Sequence, residues 1–267
     1  MGESGAIIEI YEIYLIATEG AIRYIDRNMK LDVLAIGAHP DDIDLSCGGT
    51  IIKLAAQGYK VGMLDLTEGE LGTRGSREIR LKEAENARVI LGALVRENVR
   101  IPDGNIENTL ENRSRVIRMI RRYRPDVLLI PHRTDRHPDH EHAHVLSREA
   151  WFYSGLEKIV TEDGGVSLEP WRPRAYYHFM QWFEFVPSFI VDITAEYDRR
   201  MEAVRAFRSQ FFDPESNERS TILSTPDFME MLRTRMENYG DRIGKRYGEP
   251  FFSPAPLQVH DIVTLND

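Results

Sequence analysis

The sequence predicts an α/β fold built on a mostly parallel sheet. Three observations predict it. Short apolar runs of strand length recur along the chain, helix-patterned segments separate them, and the pair repeats at about 30-residue spacing. Parallel neighbours then require right-handed crossovers.

Taken in order, residues 1–28 stand apart from this pattern. Ile7, Ile10, Tyr14 and Ile16 fall roughly on one side of a helix, which predicts an amphipathic helix there. The alternative is a leader preceding a natural start at Met29. Leu31 to Gly37 is an apolar run ending in Gly and reads as a buried strand. Gly48-Gly49-Thr50 leads into a helix over Ile51–Gln57 that Gly58 closes. Lys60 to Leu66 reads as the second strand. Arg77 to Leu91 is helical up to Gly92, a strand follows near Asn98–Ile101, and Glu111–Tyr123 is the next helix. Arg124-Pro125 stops it, because Pro disfavours the α region in the residue before it. Asp126–Pro131 is a further buried strand. Beyond it, Ala175–Met180 and Phe189–Asp192 read as strands, and Ala195–Ser209 and Asp227–Tyr239 as helices. No linker or repeat divides residues 29–267, so they form one domain with a C-terminal α/β elaboration.

Composition narrows the function. Hydrophobic residues make up 42% and charged residues 29%, ordinary for a globular chain. The net charge of −9, from 43 acidic and 34 basic residues, argues against a nucleic-acid partner. The single cysteine, Cys47, excludes an intrachain disulfide and fits the reducing cytoplasm. The one apolar stretch near the start, Ala6–Ala17, is interrupted by Glu9 and Glu12 and is too short to span a membrane.

Two peptides carry the chemistry. Ala38-His39-Pro40-Asp41-Asp42 and His137-Pro138-Asp139-His140 each follow an apolar strand and each place two metal-competent side chains three residues apart. They lie about 100 residues apart in sequence, yet both sit past strand C-termini, where open α/β sheets bind ligands. The first turn is not Gly-x-Gly-x-x-Gly, so a dinucleotide reading is weak. His39, Asp42 and His140 form a two-His-one-carboxylate set that suits catalytic zinc, and equally non-haem iron. The neighbours favour hydrolysis. Asp41 adjoins a ligand, where a general base belongs, and His137 precedes His140 by three residues, where an oxyanion donor belongs.

Zinc lowers the pKa of water from about 16 to about 7, on the order of 12 kcal/mol, so Asp41 need only accept a proton from an acidified water. A protonated His137 aimed at the oxyanion adds roughly 3–4 kcal/mol. Asp139 is placed to hold an imidazole and raise its basicity. A bell-shaped pH profile follows, with Asp41 ionised and His137 protonated.

Blander readings stand beside these. His-Pro-Asp-Asp alone is also a helix-capping turn, but the second peptide repeats the step. His142 and His144 point elsewhere on a helix, and His132 reads as a strand-end residue. Cys47 beside Gly48-Gly49 reads as a small buried residue. Arg74, Arg77 and Arg80 either anchor a substrate carboxylate or solvate a helix face.

The chain resembles the PIG-L/LmbE-type zinc-dependent N-acetylglucosamine deacetylases. The resemblance rests on Ala35–Asp42 with Gly48-Gly49-Thr50, on Asp65–Glu70, and on Asp135–His140. Phe152–Gly155, Ser209-Gln210-Phe211 and Tyr247-Gly248-Glu249-Pro250-Phe251 extend it toward the bacillithiol-biosynthesis subgroup. It covers about Met29 to Pro254. It implies a Rossmann-like sheet, Zn2+ (with Fe2+ as an in-vivo alternative) held by His39, Asp42 and His140, Asp41 as base, and His137 at the oxyanion. It also implies Arg80 and Glu68 as substrate-binding residues, a homo-oligomer, and N-acetylglucosaminyl malate as substrate. The alternatives are another N-acetyl amino sugar, such as a chitooligosaccharide, or a metal-dependent sugar-binding protein without turnover.

Overall fold

The structure is a computed structural model and describes residues 13–18, 21–26 and 29–263. The described part of the leader forms two strands, β1 (Ile13–Thr18) and β2 (Ala21–Asp26), paired antiparallel from Ile13↔Asp26 to Thr18↔Ala21. The helix expected there is corrected over these residues. Both segments are rich in Ile and Tyr, which suit an extended backbone better than a helix. Ile7 and Ile10 lie outside the described residues.

From Val33 onward the alternation holds: β3 (Val33–Gly37), α1 (Asp42–Ala56), β4 (Val61–Asp65), α2 (Arg77–Leu91), β5 (Val95–Asn98), α3 (Leu110–Tyr123), β6 (Val127–Pro131) and α4 (Pro138–Tyr153). A small hairpin, β7 (Glu162–Asp163) and β8 (Val166–Ser167), precedes β9 (Ala175–Phe179) and β10 (Phe189–Asp192). The chain continues through α5 (Tyr197–Arg205), α6 (Pro226–Asp241) and β11 (Gly248–Phe252). The main sheet runs β10-β11-β9-β6-β3-β4-β5. Its pairs from β9 through β5 are parallel, and β11 is antiparallel to both neighbours.

The pleat divides the core. In β3, Val33 and Ala35 face one apolar cluster with Ile43 and Ile51 of α1, Ala84 and Ala87 of α2 and Val204 of α5. Leu34 and Ile36 face the other, with Val116 and Ile120 of α3 and Ala143 and Leu146 of α4. This strict period of two, with both faces covered, is what a central parallel strand requires.

Within the main sheet and its first helix, three elements depart from expectation. β5 ends where its predicted strand begins, because its register against β4 runs Gly62↔Val95 to Asp65↔Asn98. α1 starts at Asp42 rather than after Gly48-Gly49, so the glycines lie inside it, next to a break at Cys47 (φ −144°, ψ 22°). β11 goes unforeseen because Glu249-Pro250 disguises it. Pro250 pairs only with Ile190 and lies outside the Phe251–Phe252 register against β9, so its missing N–H interrupts nothing there.

Candidate active site

Four parallel strands end on one edge, and the loops after them build the site. His39 follows β3, Glu68 follows β4, Asp103 follows β5, and Asp135 to His140 follow β6 into α4. A cavity of about 370 Å³ opens there, lined among others by His39, Asp41, Asp42, Asp103, His137 and His140.

His39, Asp42 and His140 converge, each offering a ligand atom within 4.8 Å of the others'. His39 Nδ1 lies 3.4 Å from Asp42 Oδ2, and His140 Nε2 lies 3.2 Å from Asp42 Oδ1. The outer nitrogens are already engaged. His39 Nε2 donates to Asp103 Oδ1 at 3.1 Å and Asp139 Oδ2 at 3.2 Å, and His140 Nδ1 donates to Asp135 Oδ1 at 2.8 Å. Carboxylates on the outer nitrogens keep a proton there, so each inner nitrogen is the one that would give up its proton and present a lone pair on the Asp42 side. Two oriented imidazoles, one carboxylate and an adjoining cavity fit a divalent metal with a position left open.

The charges reinforce one another. Burial lowers the pKa of His39, but Asp103, Asp139 and Asp42 outweigh it and hold the ring well above its ordinary value. Burial likewise lowers that of His140, yet Asp42 and Asp135 push it up to about 9. Asp42 is raised by burial but driven well below the carboxylate range by His140 and His39.

Asp41 stands at the N-cap position of α1, without a side-chain cap bond, and has φ 130°, a backbone that L residues seldom adopt. Such a conformation costs on the order of 1–3 kcal/mol and persists only when its surroundings impose it. Here the imposing group is Arg80, whose Nη2 donates to Asp41 Oδ2 at 2.9 Å and to Pro40 O at 3.2 Å, while Nη1 donates to Gly69 O at 3.1 Å. Burial raises the Asp41 pKa to about 6 despite the guanidinium. Asp41 Oδ1 makes no hydrogen bond among the described residues, which leaves it for a proton.

His137 caps α4, and its Nδ1 accepts from Asp139 N at 3.2 Å. Burial, with His39 and His140 nearby, lowers its pKa. Protonation at Nδ1 would break the cap, so the structure departs from the expected imidazolium. A neutral ring with its proton on Nε2 satisfies the cap and still offers a donor.

Asp139 Oδ2 accepts from the His39 imidazole at 3.2 Å and from Gly104 N at 2.9 Å. Arg80 lines the cavity but is spent on Asp41, so it meets no substrate through that edge. Glu68 is turned away from the cavity, paired with Arg77 and, at 3.3 Å, with Arg100. Arg74 is held by Ser216 at 2.6 Å and Glu218 at 3.3 Å. His142 is exposed, His144 bonds Pro131 O at 3.2 Å, and Cys47 is buried. Sequence reasoning missed Asp103 and a role for Asp135. Asp135 opens the second peptide, and Asp103 lies in a Pro-Asp-Gly turn after a strand on the same sheet edge. That shared position past a strand end was the available signal.

Known proteins resemble this chain in sequence and in fold. Residues 34–151 match the family described as PIG-L: GlcNAc-PI de-N-acetylase. A diacetylchitobiose deacetylase of Thermococcus kodakarensis is 33% identical over 231 residues, 81% of this chain and 80% of its own. Among solved structures, a conserved protein from Thermus thermophilus superposes with TM-score 0.78 at 37% identity, covering 87% of this chain and 98% of that one. The N,N'-diacetylchitobiose deacetylase from Pyrococcus horikoshii superposes with TM-score 0.69 at 30% identity, covering 82% of each chain. The family match and these relatives define an amidohydrolase acting on a linear amide. The chain belongs to the PIG-L family of de-N-acetylases. The narrower bacillithiol subgroup is not among the relatives just described. No helix among the described residues is long and apolar enough to cross a membrane.

Proposed function

We propose that the protein removes the acetyl group from an N-acetylglucosamine conjugate with an anionic aglycone, N-acetylglucosaminyl L-malate in bacillithiol biosynthesis. His39, Asp42 and His140 hold Zn2+ in this reading, with Fe2+ as the in-vivo alternative. When bound, the ion acidifies water and polarises the amide carbonyl. Asp41 Oδ1 takes the proton from the attacking water, with Arg80 fixing the carboxylate's other oxygen. His137 Nε2–H donates to the amide oxygen as charge develops there. Asp41 returns its proton to the departing nitrogen, giving free amine and acetate.

One observation carries the anionic aglycone. Arg136 lines the cavity with its guanidinium 4.1 Å from the Trp182 ring centre, and it has no carboxylate partner among the described residues. Its neighbour Arg235 is already donating to the Gln181 and Trp182 carbonyls. A planar, unpaired guanidinium is suited to a substrate carboxylate. A neutral diacetylchitobiose is the second reading, favoured by the Thermococcus relative. Homo-oligomerisation in the cytoplasm belongs to the same proposal and rests on the resemblance; sedimentation of the purified protein tests the assembly.

Acetate release from the two substrates, with zinc added or chelated, tests the function. The expected result is higher kcat/KM on the malate conjugate, and a KM that rises about tenfold or more for that substrate alone in Arg136→Ala. Preference for diacetylchitobiose by the parent defeats the malate assignment. Turnover that survives complete chelation defeats the metal assignment.

A further inference from the structure

The break in α1 divides it into a first segment, which carries Asp42 and follows Asp41, and a second segment beginning at Gly48. A broken helix leaves orphaned carbonyls on one side and orphaned N–H groups on the other. Members of both sets are met by one ion pair from the C-terminal elaboration. Glu249 of β11 accepts Gly49 N on Oε1 at 2.9 Å and Thr50 N on Oε2 at 2.7 Å. Those are the N–H groups that an N-cap side chain ordinarily serves. Thr50 Oγ1 adds a 2.6 Å bond to Oε2. Arg200 of α5 donates through Nε to Glu249 Oε1 at 3.0 Å and through Nη2 to Leu45 O, closing the end of the first segment. Arg200 and Glu249 are both 0% exposed.

The glycines make this approach possible. A Cβ on Gly48 would meet Arg200 Cγ at 3.4 Å, and one on Gly49 would meet Ile193 Cβ at 2.9 Å. A buried ion pair is weak evidence for stability, since well-packed apolar side chains often replace one at no loss. What apolar atoms cannot do is satisfy both ends of a broken helix at once.

We infer that Arg200 and Glu249 are positioning residues for the metal centre, holding the α1 break at the angle that brings Asp42 and Asp41 to the histidines of the other loops. The inference rests on the site reading above. It gives work to Gly48-Gly49-Thr50 and Tyr247-Gly248-Glu249-Pro250-Phe251, two sequence segments that no catalytic role absorbs. It also makes the C-terminal third part of the active site without touching substrate.

The test uses the full chain, with zinc alone for affinity and the N-acetylglucosaminyl malate conjugate for turnover. Zinc affinity is measured by chelator competition at 25 °C for the parent, Thr50→Val, Thr50→Ser, Glu249→Gln and Ile117→Val. Ile117 packs on the opposite face of the sheet and serves as the control for general loosening. Thr50→Val and Glu249→Gln are expected to weaken zinc binding about tenfold or more, the usual effect of losing a group that orients a ligand. Acetate release should show kcat falling with KM unchanged. Thr50→Ser should recover both, and Ile117→Val should alter melting temperature alone. Should Glu249→Gln fail to fold, the Thr50 pair carries the comparison. Parent-like zinc affinity and kcat in a folded Thr50→Val overturn the inference. A parent that binds no zinc overturns the site reading itself, a separate and distinguishable result.

Discussion

Arg80 Nη2 lies 2.9 Å from Asp41 Oδ2, and the two side chains are buried together beneath the cavity. The bond ties the second residue of a strained Pro-Asp-Asp turn to a helix that starts 36 residues later, at Arg77. It leaves one Asp41 oxygen for chemistry and removes the torsional freedom that would spoil its aim.

Arg80→Met should therefore lower kcat by roughly 10²-fold, the scale of a misplaced catalytic group, while the metal stays bound. Asp41→Asn should lower it by about 10²–10⁴-fold through loss of the base. Steady-state acetate release together with metal content checks both. An Arg80→Met enzyme with raised KM and intact kcat would instead make Arg80 a substrate contact.

Asp103 and Asp135 bond His39 and His140 at the nitrogens turned away from Asp42, which in the proposed reading places them behind the metal. Asp103→Asn and Asp135→Asn should each weaken zinc binding about 10–100-fold. Equilibrium dialysis reads this directly. Unchanged affinity in both would remove them from the metal centre.

Gly49→Ala should destabilise the fold by about 1–3 kcal/mol in urea melts, the cost of overpacking. Its Cβ would stand 2.9 Å from three carbons of Ile193, one of them Cβ itself, which cannot swing aside. A midpoint equal to the parent's would show that the elements relax apart.

His178 reports a pH limit of the fold away from the proposed metal site. It is buried on β9, donates to Pro131 O at 2.9 Å and faces the rings of His132 and His144. Burial lowers its pKa to about 4. The unfolded ring titrates near 6.5. Above about 6.5 both states are neutral and the full stability is present; as pH falls toward 4 only the unfolded chain takes up the proton. About 3 kcal/mol is lost across that window. A 15N titration of the imidazole should show a midpoint near 4. A midpoint near 6.5 would contradict the burial argument.

Much of the fold was legible because its signals are local. The apolar runs at β3, β4 and β6, the Gly92 stop after α2 and the Pro125 stop after α3 are read over a few residues. β11 and the α1 break were not legible, since Pro250 and Gly48-Gly49 argue locally against what the surrounding contacts impose. Within the site, the three-residue steps from His39 to Asp42 and from His137 to His140 were plain. The placement of Glu68 was not. Its approach to Arg77 and Arg100 depends on where a loop folds back.

The sequence by itself determined the α/β alternation, the two peptides proposed to carry the ligands and the residue types available for acid–base chemistry. Only the tertiary structure decided their partners: Asp103 and Asp139 on His39, Asp135 on His140, Arg80 on Asp41, Glu249 and Arg200 on the α1 break. The physical reason is range. Periodicity and capping act over a turn or two of chain, so they print themselves into local spacing. Most of these partners meet only because the sheet register brings distant strand ends to one edge, and no local pattern encodes that register.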